Sequence, residues 1–174
     1  GTLNFTPFSW LKSRAIVGID MGWDENTSLY PLEVHLPAVY FRTSEGEITI
    51  GRPKNQNLSV DLSATANRTF ASVSTSTSVG FQYYDKQESN FENTGIGFAS
   101  PLAKTINQTP ATRSTIRYDF VDNKSLGVYV QEQLGWKDRI FLTGAVRFDD
   151  NSAFGANFDF EKYPKLAATW VVSE

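Results

Sequence analysis

Between residues 73 and 83 apolar and polar side chains alternate without a break. Val73, Thr75, Thr77, Val79, Phe81 and Tyr83 fall on one side, with Ser74, Ser76, Ser78, Gly80 and Gln82 on the other. A period of two is the signature of an extended strand, in which successive side chains point to opposite faces. The same rhythm returns along the chain. Val17, Ile19, Met21 and Trp23 oppose Gly18, Asp20 and Gly22, and Leu58, Val60, Leu62 and Ala64 oppose Ser59, Asp61 and Ser63. Further on, Leu126, Val128 and Val130 oppose Gly127, Tyr129 and Gln131, and Ile140, Leu142, Val146 and Phe148 oppose Phe141, Thr143, Ala145, Arg147 and Asp149. Leu166, Ala168, Trp170 and Val172 close the series opposite Lys165, Ala167, Thr169 and Val171. The helical spacing of i, i+3, i+4 is nearly absent.

This pattern predicts an all-β fold of antiparallel, up-and-down strands near residues 3–8, 14–24, 56–66, 72–86, 113–135, 139–150 and 162–173, with negligible helix. Short turns are expected near Trp10, Asn67 and Lys137. Residues 24–56 and 86–114 are rich in Asn, Ser, Thr, Gly and Pro, lack patterning, and read as long loops. Short connections alternating with long ones are the habit of an outer-membrane barrel. In a soluble sandwich the polar faces meet water and carry Lys, Glu and Arg, whereas here several carry Ser, Gly, Thr, Asp and Gln. Small neutral polar residues suit a crowded, wet lumen. Trp10, Phe70 and Trp136 lie at or near the short turns, where an interfacial aromatic girdle belongs.

Composition narrows the function classes. The net charge of −3, the sequence pI of about 5.2 and the lack of a Lys/Arg cluster remove the footprint that phosphate backbones require, so no nucleic acid is expected. The absence of Cys excludes thiol catalysis, disulfides and thiolate metal sites. No apolar run approaches the ~20 residues of a transmembrane helix, so any crossing must be made by strands. The chain begins at Gly1 without Met and stops within the apolar run around Trp170, which reads as a piece of a longer polypeptide.

Residues 126–174 add a resemblance. The segment Gly127-Val128-Tyr129-Val130-Gln131-Glu132-Gln133-Leu134-Gly135-Trp136 is followed by Asp138-Arg139-Ile140-Phe141-Leu142-Thr143-Gly144-Ala145-Val146-Arg147. Then come Asp149-Asp150-Asn151-Ser152-Ala153-Phe154-Gly155 and Tyr163-Pro164-Lys165. This series resembles the barrel of a TonB-dependent outer-membrane transporter of the SusC/RagA-like type. Phe8-Ser9-Trp10-Leu11 followed by Val17-Gly18-Ile19-Asp20 is similar to an earlier hairpin of such barrels. The resemblance implies that residues 1–174 are a fragment of a transmembrane β-barrel in the bacterial outer membrane, without the plug domain and with the barrel incomplete. Such barrels have about 22 strands, and this length allows roughly six to eight. The parent protein is then expected to import a bulky nutrient such as an oligosaccharide or peptide. The implied partners are outer-membrane lipid, the remainder of the barrel and its plug, TonB and a SusD-like lipoprotein.

Two other readings of the residues stay open. One is a soluble or surface β-sandwich that binds carbohydrate through loop aromatics such as Tyr30, Tyr40, Phe41, Phe91 and Phe98. The other is a structural, self-assembling β fragment without transport activity, since unpaired edges and Ser/Thr-rich strands allow cross-β pairing.

No enzyme site and no cofactor are expected. The run Asp149-Asp150-Asn151-Ser152, with Asp159 and Glu161, could offer oxygen ligands to a hard cation, but its spacing does not match an EF-hand loop and a solvated rim accounts for it. No metal site is assigned, and Asp20, Asp24 and Glu25 are treated alike. His35, the single histidine, reads as a surface residue, and Gly95-Ile96-Gly97 lacks the helix a phosphate cradle needs. The alternation assigns Val17, Ile19, Met21, Leu58, Val60, Leu62, Val79, Phe81, Leu126, Val128, Leu142, Val146 and Trp170 to lipid. Asp20, Ser59, Asp61, Gln131 and Arg147 are assigned to the lumen. The lumen-facing candidates for contact with plug or substrate are Asp20, Asp61, Gln131, Arg147 and Asp149.

Overall fold

The computed structural model describes residues 1–32, 45–151 and 160–172. Eight strands occur among them: β1 (Thr2–Phe8), β2 (Leu11–Trp23), β3 (Asn26–Tyr30), β4 (Glu47–Phe70), β5 (Val73–Ile96), β6 (Ser114–Trp136), β7 (Ile140–Asn151) and β8 (Glu161–Trp170). They form one sheet in the order β1-β2-β4-β5-β6-β7-β8, with β3 pairing beside β4. β1 and β8 stand at the ends of that order, so the sheet is not closed. The β1–β2, β3–β4, β6–β7 and β7–β8 pairs are antiparallel. Among the described residues helix is limited to two 3-10 turns, Ile106–Gln108 and Ala111–Arg113.

The expected strands are all present, but β4 and β5 are far longer than the alternation indicated, at 24 residues each. Much of the two long loops expected at residues 24–56 and 86–114 is therefore strand, and β3 was not anticipated. Alternation appears only where one face must be apolar. Backbone pairing alone carries the ladder through Lys54-Asn55-Gln56 and Gln87-Glu88-Ser89-Asn90, where neither face is.

The turn expected near Asn67 also moves. Residues through Phe70 remain in β4, and the chain reverses at Ala71 and Ser72, with Ala71 at φ 53°. Asn67 looks like a turn residue but donates its N–H to the Trp10 carbonyl at 2.8 Å. Lys137 and Asp138 adopt φ of 53° and 54° in the next short turn, as tight hairpins with right-handed strand twist demand.

The chain divides into two compact units. The first comprises Gly1–Asp20, Asn57–Lys86 and Asp122–Glu174. Here the register fixes the faces. Val128 lies beside Phe148, Val130 beside Val146 and Leu134 beside Leu142, while Tyr129 lies beside Arg147 and Gln133 beside Thr143. β8 continues both rows, with Ala168 beside Leu142 and Tyr163 beside Arg147. At the other end Leu3 and Phe5 pair with Ala15 and Ser13, and with Leu62, Val79 and Phe81 they wall an open apolar depression. This apolar face is uncovered: Ile19 is 63% exposed, Leu142 53% and Trp170 69%.

The second unit comprises Met21–Gln56 and Gln87–Val121. It has a small core of its own in which Ile48, Phe98 and Ala103 are buried, with Leu32, Ile50 and Ile106 packed around them. Gly46 makes this possible. Its φ is +82°, and the Phe98 ring lies where its Cβ would be. The segment after β5 is tied down by Gly97 and Phe98 N–H groups donating to the Gly46 and Glu45 carbonyls at 2.9 Å each. Gln108 accepts from the Lys104 and Thr105 N–H groups, capping the first 3-10 turn. Truncating Ile48 to Ala is expected to cost ~2–5 kcal/mol. Hydrogen exchange should then show protection lost at residues 46–50 and 97–103, with residues 126–148 unchanged.

Candidate functional site

On the polar face of the first unit a line of side chains crosses the sheet. Gln82 on β5 donates Nε2–H to Asp61 Oδ1 on β4 at 2.8 Å, and its Oε1 accepts from the Arg147 guanidinium of β7 at 2.7 Å. Arg147 Nε in turn donates to both carboxylate oxygens of Asp149 at 2.8 Å. β6 lies between β5 and β7 in the sheet, so the arginine must pass over it. Gly127 opens the way. A Cβ there would stand 2.5 Å from Asp149 Oδ1 and 2.6 Å from an Arg147 nitrogen.

Gly80 serves Tyr129 in the same manner, because the Tyr129 ring occupies the space that a Cβ on Gly80 would fill. Arg147 of β7 and Tyr129 of β6 thus each lie across a glycine of the neighbouring strand. Asp61, Gln82, Tyr84, Gly127, Arg147, Asp149, Glu161 and Tyr163 line a cavity of about 440 Å³. Arg147 and Asp149 are 40% and 35% exposed, so water screens the pair and the network orients side chains more than it stabilises the fold.

Of the five candidates, Asp61, Arg147 and Asp149 are brought together. Gln131 shares the face but pairs in register with Ala145, and Asp20, exposed on β2, lies outside the cavity lining. Gln82, Gly127, Gly80 and Tyr129 were not singled out from the sequence. Their signal is the coincidence of a glycine with a long side chain on the adjacent strand, and it becomes visible only once the register is known.

The other motifs resolve differently. Asp149 and Asp150 fall on opposite faces of β7, and among the described residues no three acidic or histidine side chains converge. Ser152, Asp159, His35, Tyr40 and Phe41 lie outside the described residues. Glu25 pairs with Arg52 at 2.8 Å. Gly95 lies against Thr109, and Gly97, at φ +91°, lies against Arg113. Phe98 belongs to the core described above.

These features accord with the comparisons. The family model for "TonB dependent receptor-like, beta-barrel" matches residues 4–174. The chain belongs to that family. Its strands are therefore part of a transmembrane β-barrel of the bacterial outer membrane. Solved structures of the RagAB peptide transporter, and of the RagAB peptide importer in its 'closed-closed' and 'open-open' states, match with a TM-score of 0.83 and 18% identity. Each match covers 96% of this chain and 18% of that chain, so the chain spans about a fifth of their length. No relative was found among curated proteins.

In this barrel segment a double-mutant cycle on Gln82→Ala and Arg147→Ala is expected to return a coupling of ~0.2–1 kcal/mol. Repeating the cycle in a Gly127→Val background should bring it to zero, because the valine side chain blocks the crossing. Coupling that persists there would mean that the arginine takes another route.

Proposed function

We propose that the chain forms part of the wall of an outer-membrane active transporter that imports a bulky nutrient, an oligosaccharide or a peptide. The observation that carries this reading is the division of the first unit's strands into a largely apolar, uncovered face and a hydrogen-bonded polar face. In the proposed placement the apolar face meets lipid and the polar face lines the lumen. Asp20, Asp61, Gln131, Arg147 and Asp149 are then candidates for contact with a plug or passing substrate. The likeness to the RagAB peptide transporter supports the peptide alternative by analogy of fold. Energy delivered by TonB, a plug within the completed barrel and a SusD-like lipoprotein over the long connections belong to the same proposal. No enzymatic role is proposed.

A β-sandwich would require a second sheet over the apolar face. The eight strands instead form a single sheet, so that alternative gains no support.

Two measurements test the proposal. Cells lacking the full-length protein should lose uptake of labelled oligopeptides or oligosaccharides, and cells lacking TonB should show the same loss. Unchanged uptake of both classes would sink the transport reading. For the membrane placement, Val130→Lys and Val146→Arg, level with each other near the middle of the apolar row, are expected to cost ~2–4 kcal/mol, with Ser59→Lys costing far less. Spin labels at residues 128 and 142 should be quenched by lipid-soluble agents. Quenching by water-soluble agents alone would reverse the assignment.

A further inference from the structure

The chain as a whole is acidic, with 16 Lys and Arg against 19 Asp and Glu, but the charges are not evenly spread. Residues 8–14, 66–73 and 136–141, which form the short-turn end of the first unit, contain Lys12, Arg14, Arg68, Lys137 and Arg139 and only one acid, Asp138. This end is a continuous rim, since Asn67 donates to the Trp10 carbonyl, Lys137 to that of Ser72 and Val171 to that of Arg139. It is also where the large aromatics are exposed: Phe8, Phe70, Trp136 and Trp170 are 57%, 66%, 50% and 69% exposed.

Cations and rings are joined here. The Arg68 guanidinium lies over the Trp10 ring at 4.0 Å, with Phe8 stacked on that indole at 5.4 Å, and the Lys137 amine lies over the Trp136 ring at 5.1 Å. A cation held against an indole keeps its hydrogen-bond donors free on the side away from the ring. Alternation along β4 puts Arg68 on the same face as Leu62 and Phe70, whereas Lys12 and Arg14 on β2 fall on the polar face with Gly18. The outward set is therefore Arg68, with Lys137 and Arg139 in the turn.

We propose that this rim is a docking surface for anionic phospholipid, with Arg68, Lys137 and Arg139 taking the headgroup phosphates while the indoles beneath sit at the level of the glycerol and upper acyl chains. The proposal rests on the membrane placement given above. Charge complementarity identifies the occupant. A surface excess of cations, against the sign of the whole chain and interleaved with amphipathic rings, matches a sheet of phosphates bordering hydrocarbon.

The test uses the full-length protein in mixed phosphatidylglycerol and phosphatidylcholine bilayers, with lipids retained after extraction counted by native mass spectrometry. Wild type should retain phosphatidylglycerol preferentially. Each outward cation replaced by Ser near the surface should reduce that preference by roughly fivefold. The triple variant Arg68→Ser, Lys137→Ser, Arg139→Ser should lose it, and Lys12→Ser with Arg14→Ser should leave it intact. Equal loss in both variants, loss in neither, or displacement of the lipid by inorganic phosphate alone would overturn the proposal. Heat-modifiable migration of each variant reports insertion of the barrel separately, so failure of the membrane placement is distinguishable from failure of the lipid site.

Discussion

Every strand here depends on a lateral ladder of backbone hydrogen bonds. In hydrocarbon no water is present to satisfy an N–H or C=O, so a strand can cross only when its neighbours supply the partners. The β6–β7 pair holds register without interruption from Trp136↔Ile140 to Ser125↔Asn151, which keeps the apolar row of Val128, Val130 and Leu134 on one face throughout. From Leu126 to Trp136 this face covers ten residue steps, its apolar row broken by Glu132, which accepts from the Thr77 hydroxyl. At ~3.3 Å per residue and a tilt of ~40° this gives a height of ~25 Å, the thickness of an outer-membrane apolar band.

That constraint explains why the first unit contributes none of the buried apolar side chains. Among the described residues these are Ile48, Phe98 and Ala103, all in the second unit. A sheet destined for lipid turns its apolar residues outward and leaves its burial to the surrounding membrane. The second unit has polar residues on both strand faces in much of β4 and β5 and must bury something to be compact, so it builds a small core around one aromatic ring.

The same physics sets what could be read from the sequence. Alternation at residues 58–64, 73–83 and 126–148 is imposed by an apolar medium on one side, and those strands and their faces were legible. Residues 47–56 and 87–96 are under no such demand, so their backbone pairs without leaving a trace in side-chain order. Asn67 was misread because a polar residue near a hairpin resembles a turn, whereas the reversal needs a left-handed residue and uses Ala71. At the candidate site, Asp61, Arg147 and Asp149 were legible as charges on a polar face. Their connection through Gln82 over Gly127 was not, because it depends on which residues of three strands stand level.

Arg147 shows how closely the two faces are bound together. It stands between Val146 and Phe148, so slipping β7 by one residue would turn its guanidinium to the apolar side and bring both hydrophobic neighbours to the polar one. Burying that charge in hydrocarbon is costly, which alone disfavours the slip. The crossing over Gly127 adds a second restraint of a different kind. Arg147 reaches Gln82 only when a residue without a side chain lies in its path, and in β6 the neighbouring Leu126 and Val128 would each obstruct it. A weak, water-screened hydrogen-bond chain can thereby contribute little to stability and still select one register, because the alternatives lose the glycine as well as the partner.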